Sequence, residues 1–437
     1  MEIKIYKYPK DTKDLLIRDF DPNLIGEAVS AISDIINDIE ENGDTALLKY
    51  ERQFDCPSIE SLKVTEQEFE EAKAAVSQEL KAAMKVAADN IRKFHAAQLM
   101  EPIEVETTPG VVCRQKAVPL HSVGLYVPGG RAPLFSTALM LAIPARLAGC
   151  PKIAICTPPD KSGRVNPTIL VAARLAGVTE VYKAGGAQAI AAMAFGTETI
   201  PKVNKIFGPG NLYVMLAKAF VAKQTHTLVD LPAGPSEVMI VADETANPTF
   251  VAADFLSQAE HGPDSQSILV TTSERLADEV AKNAVEMAKE LPRVDLIEQS
   301  LKKSRIIVVR TDDEMMRIAN EYAPEHLIIN HTDADKLAEM VENAGSVFLG
   351  QYACESAGDY ASGTNHTLPT SGNAKAYSGV NIDSFMKKIT FQRLTAEGIA
   401  TLGPVVETMA EGEGLLAHKL AATVRIEQVK KEVRLWI

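Results

Sequence analysis

The residues best suited to chemistry in this 437-residue chain begin with a glutamine and a histidine three positions apart. Gln258 and His261 follow an apolar run of helical spacing, and Gly262-Pro263 is a helix stop signal. Residues three apart share a helix face, so the spacing predicts an amide oxygen and an imidazole nitrogen aimed at one centre from the last helical turn. These donors suit a metal ion, and a helix end capped by a polar pair is the alternative.

A second pair, Glu325-His326, stands directly before the apolar run of residues 327–329. Histidine titrates near neutrality and a partly buried glutamate can be raised towards it, so the pair is a candidate for base catalysis at the entrance of a strand. A structural ion pair is the alternative. Two further segments, residues 355–366 and 411–418, combine acidic residues, histidines and glycines in the manner of functional loops.

Glycine-containing turns follow three of the predicted strands. They are Pro128-Gly129-Gly130, Gly185-Gly186-Ala187-Gln188 and Gly208-Pro209-Gly210-Asn211. Such turns let backbone amides approach a ligand, and the helix that follows favours an anion at its N-terminus. A tight strand-to-helix turn explains any one of them, but three in succession favour a nucleotide. None has the Gly-x-Gly-x-x-Gly spacing of the common dinucleotide fingerprint.

The elements that must position these residues alternate between short β-branched runs and helices from residue 123 to about residue 350. This pattern predicts an α/β fold with two doubly wound, Rossmann-like parallel-sheet units that divide near Ser236-Glu237, with ligands at the carboxyl ends of the strands. Residues 24–97 read as helical, and Thr65 to Glu68 forms a capping box that opens a long helix. We expect the N-terminal segment, residues 1–122, to pack on the second Rossmann-like unit.

Composition limits the possible partners. Lysine and arginine number 45 against 58 aspartate and glutamate, for a net charge of −13, so nucleic acid and anionic membranes are not expected partners and small molecules are. No apolar run approaches the ~18 residues of a spanning helix, and the start lacks a signal peptide pattern, which predicts a cytoplasmic protein. The five scattered cysteines fit reduced thiols.

Four motifs together resemble histidinol dehydrogenase, and the resemblance covers nearly the whole chain after about residue 25. In chain order the motifs are residues 257–266, 323–327, 358–366 and 413–418. The likeness also includes residues 124–130, 207–211 and 233–237. Leu416 and Gly412 depart from the family pattern, and neither is a ligand that the resemblance implies.

The resemblance implies a zinc- and NAD-dependent enzyme that oxidises L-histidinol to L-histidine through L-histidinal, the last steps of histidine biosynthesis. It implies Glu325 and His326 as catalytic residues. The implied zinc ligands are Gln258, His261, Asp359 and His418. The implied substrate contacts are Ser236, Gln258, His261, His326, Asp359, His366, Glu413 and His418. The implied NAD contacts are Tyr126, Gln188 and Asn211.

The resemblance also implies a homodimer with shared active sites. Residues 123–236 would form the NAD side, residues 237–367 would carry the metal and catalytic residues, and residues 368–437 would form an extended, swapped arm that completes the partner's site. The weak self-packing expected of that arm agrees with this. Two alternatives are a related zinc and NAD enzyme for another small alcohol, such as a sulfonated diol, and a metal-binding protein without catalysis. A cysteine thiohemiacetal at Cys113 or Cys150 is the competing mechanism for aldehyde oxidation.

Overall fold

The computed structural model describes residues 1–18, 22–129, 133–232 and 234–434. Its strands are β1 (Lys4–Lys7), β2 (Ile103–Thr108), β3 (Val111–Pro119), β4 (Ser122–Tyr126), β5 (Lys152–Thr157), β6 (Val181–Lys183), β7 (Lys205–Phe207), β8 (Leu228–Val229), β9 (Glu237–Ala242), β10 (Gln266–Thr271), β11 (Arg305–Val308), β12 (His326–Asn330), β13 (Ser346–Leu349) and β14 (Met386–Leu394). Its α-helices are α1 (Pro22–Phe54), α2 (Glu66–Ala75), α3 (Gln78–Ala96), α4 (Phe135–Ala148), α5 (Pro167–Leu175), α6 (Gly186–Phe195), α7 (Leu212–Gln224), α8 (Pro248–Ser257), α9 (Glu274–Ala288), α10 (Val294–Lys303), α11 (Asp312–Tyr322), α12 (Ala334–Ala338), α13 (Glu355–Tyr360), α14 (Ala396–Gly412) and α15 (Leu416–Arg434).

The first sheet has the strand order β6-β5-β4-β7-β8, and all of its strands are parallel. The order reverses between β4 and β7, which is the switch point where open α/β sheets bind ligands at the carboxyl edge. Its inner strands are buried on both faces, as expected when helices cover both sides of a parallel sheet. The predicted Rossmann-like unit is therefore present.

The second sheet has the order β1-β11-β10-β9-β12-β13 and is also parallel throughout. Apart from β1, its strands lie from Glu237 onwards, where the sequence predicts the division between the two units. Two apolar clusters cover its faces, one around Phe255 and Leu276 and the other around Met315 and Tyr322. Both sheets belong to one compact unit, which comprises residues Met1–Gln98 and Leu120–Phe385 and is called the first unit below.

The N-terminal helices contradict the expectation that they pack on the second sheet. Helix α1 packs against α6 and α7, α2 packs against α5, and α3 packs against α4, all of which are helices of the first sheet. Ile32, Ile36 and Leu47 of α1 join the cluster formed by Ile190 and its neighbours. Only β1 joins the second sheet, beside β11. The apolar face of α1 is buried by helices of the first sheet, which offer it an apolar surface of their own.

The long helix predicted from residue 65 is divided into α2 and α3. Its start is confirmed, because the Thr65 hydroxyl accepts a hydrogen bond from the Glu68 amide and the Glu68 carboxylate accepts one from the Thr65 amide. Val76 leaves the helical conformation, and Ser77 caps α3 through the Leu80 amide. Ser77 favours a new helix start over a continuous helix, because its hydroxyl accepts a hydrogen bond from the Leu80 amide, which has no partner inside the first turn of α3.

The second unit comprises Leu99–Pro119 and Met386–Ile437. It holds the antiparallel sheet β14-β3-β2 and the helical hairpin α14–α15. The alternation of residue types at residues 103–106 and 111–113 predicts strands, which β2 and β3 confirm. Among the described residues, no helix combines the length and apolar character needed to cross a membrane.

Candidate active site

The predicted catalytic pair lies at the amino edge of the second sheet, at the entrance of a strand, as the sequence predicts. His326 is the first residue of β12 and Glu325 directly precedes it. The backbone amide of Glu237, at the start of β9, donates to Glu325 Oε2 at 2.9 Å. Amides at the amino edge of a parallel sheet need acceptors beyond the ladder, and here a side-chain carboxylate supplies one.

His326 lies between acceptors on both sides of its ring. Its Nδ1 is 3.3 Å from the Glu237 carbonyl oxygen and 3.7 Å from Glu325 Oε2. Its Nε2 is 3.0 Å from Asp359 Oδ1. The carbonyl oxygen and an ionised Asp359 carboxylate both accept, so this arrangement favours a ring protonated on both nitrogens. Of the two, Nε2 faces the carboxylate and is the nitrogen at which a proton can be exchanged.

Burial and charge set the protonation of these groups. Burial raises the pKa of Glu325 to about 8, against the opposing charge of His326. Burial alone would lower the pKa of His326, but the carboxylates of Glu325 and Asp359 outweigh it and raise that pKa to about 10. Burial would also raise the pKa of Asp359, and the hydrogen bond with His326 instead holds it below its ordinary value. Three coupled groups with displaced pKa values are typical of a catalytic site.

Gln258 and His261 lie just beyond the helix rather than in its last turn. Helix α8 ends at Ser257, Gln258 is its C-cap, and His261 lies in the following turn, where its amide donates to the Gln258 carbonyl at 3.2 Å. The helix therefore ends several residues before Gly262-Pro263, earlier than the sequence predicts. The His261 ring is exposed to solvent, although surrounding protein desolvates it enough to lower its pKa. A neutral imidazole of this kind can donate an electron pair to a metal.

The Gln258 amide provides the structural test of the implied metal site. Its Nε2 is 3.2 Å from Glu355 Oε1 and 3.5 Å from His326 Nδ1. Its Oε1 is buried, and no hydrogen-bond donor within the described residues reaches it. A buried acceptor without a donor costs about 1–3 kcal/mol. A buried oxygen without a donor is suited to bind a metal ion, so Gln258 fits the implied zinc site.

The remaining predicted ligands are divided between the two units. Asp359 lies in the first unit on α13, and His418 lies in the second unit in the first turn of α15. Across the described ranges, no cluster of three or more histidine, cysteine, aspartate or glutamate side chains is arranged to hold a metal. The predicted zinc ligands in the first unit are Gln258, His261 and Asp359. Only His261 and Asp359 are of those four residue types, so these ligands do not form a cluster of three.

The predicted substrate contacts follow the same division. His366 is half-buried, with Nε2 3.1 Å from Thr137 Oγ1 and Nδ1 3.0 Å from the Asp359 carbonyl oxygen. Ser236 is half-buried directly before β9. Glu413 is the exposed C-cap of α14 in the second unit. The first unit thus brings His366 to Asp359, while Glu413 belongs to the other unit.

The predicted NAD contacts lie at the carboxyl edge of the first sheet, as the sequence predicts. Tyr126 ends β4 and its hydroxyl accepts from the Gly186 amide at 3.1 Å. Gln188 is in the first turn of α6, and Asn211 caps α7. Gly208 takes a φ of +129°, and a Cβ there would lie 2.1 Å from the Tyr126 carbonyl oxygen, so only glycine fits this turn. Gly130 lies outside the described residues.

Two buried glutamates near these groups were given no role from the sequence. Glu51 accepts hydrogen bonds from the Gly185 amide and from Gln188 Nε2, both at 2.9 Å. Its position four residues after Leu47 places it on the buried face of α1, which is a signal that the sequence offers. Glu355 lies four residues before Asp359, so the same spacing places both on one face of α13.

Comparison with known proteins gives the family. The family model described as histidinol dehydrogenase matches residues 22–426. The chain is 55% identical over 432 residues to the histidinol dehydrogenase of Bacteroides fragilis, which covers 98% of this chain and 100% of the relative. This chain belongs to the histidinol dehydrogenase family. It is therefore an oxidoreductase, as predicted, and the family's reaction is an NAD-linked dehydrogenation.

Two further members of the histidinol dehydrogenase family agree. The protein of Aliivibrio fischeri is 50% identical over 401 residues, covering 92% of this chain and 90% of the relative. The crystal structure of the histidinol dehydrogenase from Elizabethkingia anophelis matches with a TM-score of 0.93 at 48% identity, covering 98% of this chain and 99% of the other. The predicted fold class is confirmed by this likeness.

Proposed function

We propose that this chain oxidises L-histidinol to L-histidine through L-histidinal, with two NAD consumed per turnover and one zinc ion per subunit. The observation that carries the proposal is the trio of buried Glu325, buried His326 and half-buried Asp359. The trio lies beside the Gln258 amide, whose oxygen meets no hydrogen-bond donor among the described residues. Membership of the family supports the choice of substrate.

Gln258, His261, Asp359 and His418 would hold the zinc. Two imidazoles and two oxygens are donors that zinc accepts. When bound, zinc would supply a Lewis acid that orients the substrate through its imidazole and amine nitrogens. The chain's own contribution is to present an uncharged imidazole at His261 and an ionised carboxylate at Asp359, as the lowered pKa of each group indicates.

His326 would act as the base in both oxidations. Its Nδ1 proton is held by the Glu237 carbonyl, which leaves Nε2 to accept the alcohol proton as hydride passes from the carbinol carbon to NAD. With zinc held by Asp359, the His326 ring would bind a proton less tightly, because the charge of the ion would oppose a second positive charge nearby. The ring then takes up a proton when the reaction delivers one.

Glu325 would act between the two oxidations. It would draw a proton from a water that adds to the bound aldehyde, and the hydrate would then give its hydride to a second NAD while His326 accepts the hydroxyl proton. Burial supports this role because it raises the pKa of Glu325 to about 8, close to the pH at which a base must gain and lose a proton.

The water route is favoured over a cysteine thiohemiacetal. Cys150 is buried, its Sγ is 3.7 Å from the Phe385 carbonyl oxygen, and burial raises its pKa to about 11. Such a thiol is almost wholly protonated near neutrality and is a poor nucleophile. Cys113 lies on β3 in the second unit and has no histidine among its strand neighbours.

A homodimer with shared sites is part of the proposal. The α14–α15 hairpin exposes apolar side chains that a second chain could cover. They are Val405, Val406, Met409, Leu415, Leu416, Leu420 and Val424.

Tyr126, Gln188 and Asn211 would contact NAD, and the cytoplasmic location stays a prediction.

The central test is stoichiometry. The purified chain with zinc, NAD and L-histidinol should form two NADH for each histidinol consumed, with histidine as the product. Absorbance of NADH and amino-acid analysis measure the two quantities. One NADH with histidinal as the end product, or no turnover of histidinol, would contradict the proposed reaction.

Zinc should also stabilise the fold. Added to chelator-treated protein at 100 times its Kd, zinc should add roughly 2.7 kcal/mol to the free energy of unfolding, and turnover should vanish with the chelator. His261→Asn should lose most of this gain because it removes a proposed ligand. His121→Asn, a substitution of an exposed histidine, is the matched control. Thermal unfolding with and without zinc measures the effect, and an equal gain in the His261 variant would refute its role as a ligand.

A further inference from the structure

Glu355 is a buried carboxylate to which the proposed mechanism gives no part. Glu355 has only 1% of its surface exposed to solvent. Its Oε1 accepts a hydrogen bond from Gln258 Nε2 at 3.2 Å and another from Ser257 Oγ. Its Oε2 is buried, and no hydrogen-bond donor reaches it from the part of the chain that the structure describes. The bonds of Glu355 are therefore concentrated on the end of α8.

The contact with Gln258 decides which way the amide faces. A glutamine amide has a donor end and an acceptor end, and the two exchange places when the group turns over. With Nε2 towards Glu355, the Gln258 Oε1 lies on the opposite side, where it is buried and unpartnered. The reversed amide would place two acceptors, Gln258 Oε1 and Glu355 Oε1, against each other, and a repulsion would replace a charge-assisted hydrogen bond.

Helix α13 links this contact to the proposed metal site. Glu355 and Asp359 are four residues apart and share one face of the helix. From that face, Asp359 reaches His326 Nε2 and Glu355 reaches the Gln258 amide. One helical turn thus presents a proposed ligand and the group that orients a second ligand.

We infer that Glu355 is a positioning residue for the metal, which holds the Gln258 amide with its oxygen towards the ion. The inference rests on the proposed function, because it takes Gln258 as a ligand. Groups that orient metal ligands commonly alter metal affinity by 10- to 100-fold. The cost of leaving Gln258 Oε1 without a donor is then offset when a cation binds.

The test measures zinc affinity rather than activity. Glu355→Met keeps a side chain of similar length but removes the acceptor, so the Kd for zinc should rise about 10- to 100-fold in a competition assay with a coloured chelator. Glu355→Gln keeps an acceptor oxygen and should restore most of the affinity. Glu51→Met is the matched control, since Glu51 is fully buried, bonds an amide at Gln188 and has an unpartnered oxygen. Its zinc Kd should not change.

A double-mutant cycle separates orientation from general disruption. In a Gln258→Ala chain, Glu355→Met should weaken zinc binding no further, because the amide it orients is gone. A further loss equal to that in the native background would mean a structural role and would overturn the inference. If Glu355→Met does not fold, as judged by its thermal midpoint, Glu355→Asp takes its place and should bind zinc more weakly than Glu355→Gln.

The remaining outcomes are distinct. A wild-type chain that binds zinc tightly, with a Glu355→Met variant of unchanged Kd, would overturn the inference and leave the proposed function intact. A wild-type chain that fails to bind zinc would overturn the proposed metal site, and the inference with it.

Discussion

A His261→Asn chain and a His418→Asn chain, each inactive alone, should recover activity when they are mixed. His261 lies in the first unit and His418 in the second. If a site combines the first unit of one protomer with the second unit of its partner, a mixed dimer has one site with both lesions and one with neither. Activity should then rise towards half of the wild-type value per mixed dimer.

The physical reason lies in the composition of the second unit. Its strand β14 and its helices expose most of their residues, and few of its apolar side chains are buried within the chain. A segment of this size with so little core gains its stability from another surface. In the proposed homodimer a partner protomer would offer such a surface, and the exchange would carry Glu413 and His418 into the partner's site.

The matched control uses two lesions on the same side. His261→Asn mixed with Asp359→Asn places one lesion in every site of a mixed dimer, because both residues belong to the first unit. This mixture should stay inactive. Differently tagged chains, purified as heterodimers after exchange, make the measurement quantitative. Verified heterodimers of the His261 and His418 variants that remain inactive would show that each chain completes its own site.

Glu325→Gln should separate the two oxidations. The amide keeps the size of the side chain and an oxygen that can accept from the Glu237 amide, so the buried site should stay packed. It cannot take a proton from water. Histidine formation from supplied histidinal should therefore slow by about 10² or more, while much of the first hydride transfer from histidinol is retained.

Single-turnover measurements distinguish the steps. The first NADH formed from histidinol is followed by stopped flow, and histidinal oxidation is assayed separately. His326→Asn is the comparison, because loss of the shared base should slow both steps. Equal losses in both half-reactions for Glu325→Gln would remove its assignment to water activation.

The fold was predictable where periodicity is strong and ambiguous where segments are short. The buried runs that became β9 and β10 each extend over six residues, which is long enough to carry a strand signal. Strand β8 has two residues, which is too few for a periodic pattern to indicate a strand. The packing partner of α1 could not be predicted from the sequence either. An apolar stripe indicates that one face of the helix is buried but not which sheet's helices cover that face.

The candidate site was predictable by residue type more than by position. The spacing of Gln258 and His261 indicated a metal site, yet His261 lies beyond the helix because the cap forms at Gln258. The Glu325-His326 pair was expected at a strand entrance, and β12 begins there. What the sequence could not supply is the alignment of β12 with β9, which brings the Glu237 amide to Glu325. Contacts across strands depend on sheet order, which a single sequence does not encode locally.

The pairing of β14 with β3 has a consequence for how the chain is made. Residues 386–394 pair with residues 111–119, so the two strands are far apart in synthesis although adjacent in the sheet. A ribosome needs on the order of tens of seconds to produce the intervening segment. During that time the β2–β3 hairpin, which is largely exposed, leaves one edge of β3 without its partner. An unpaired strand edge is a template for pairing with other chains, so this edge is a site of aggregation risk until residues 386–394 emerge.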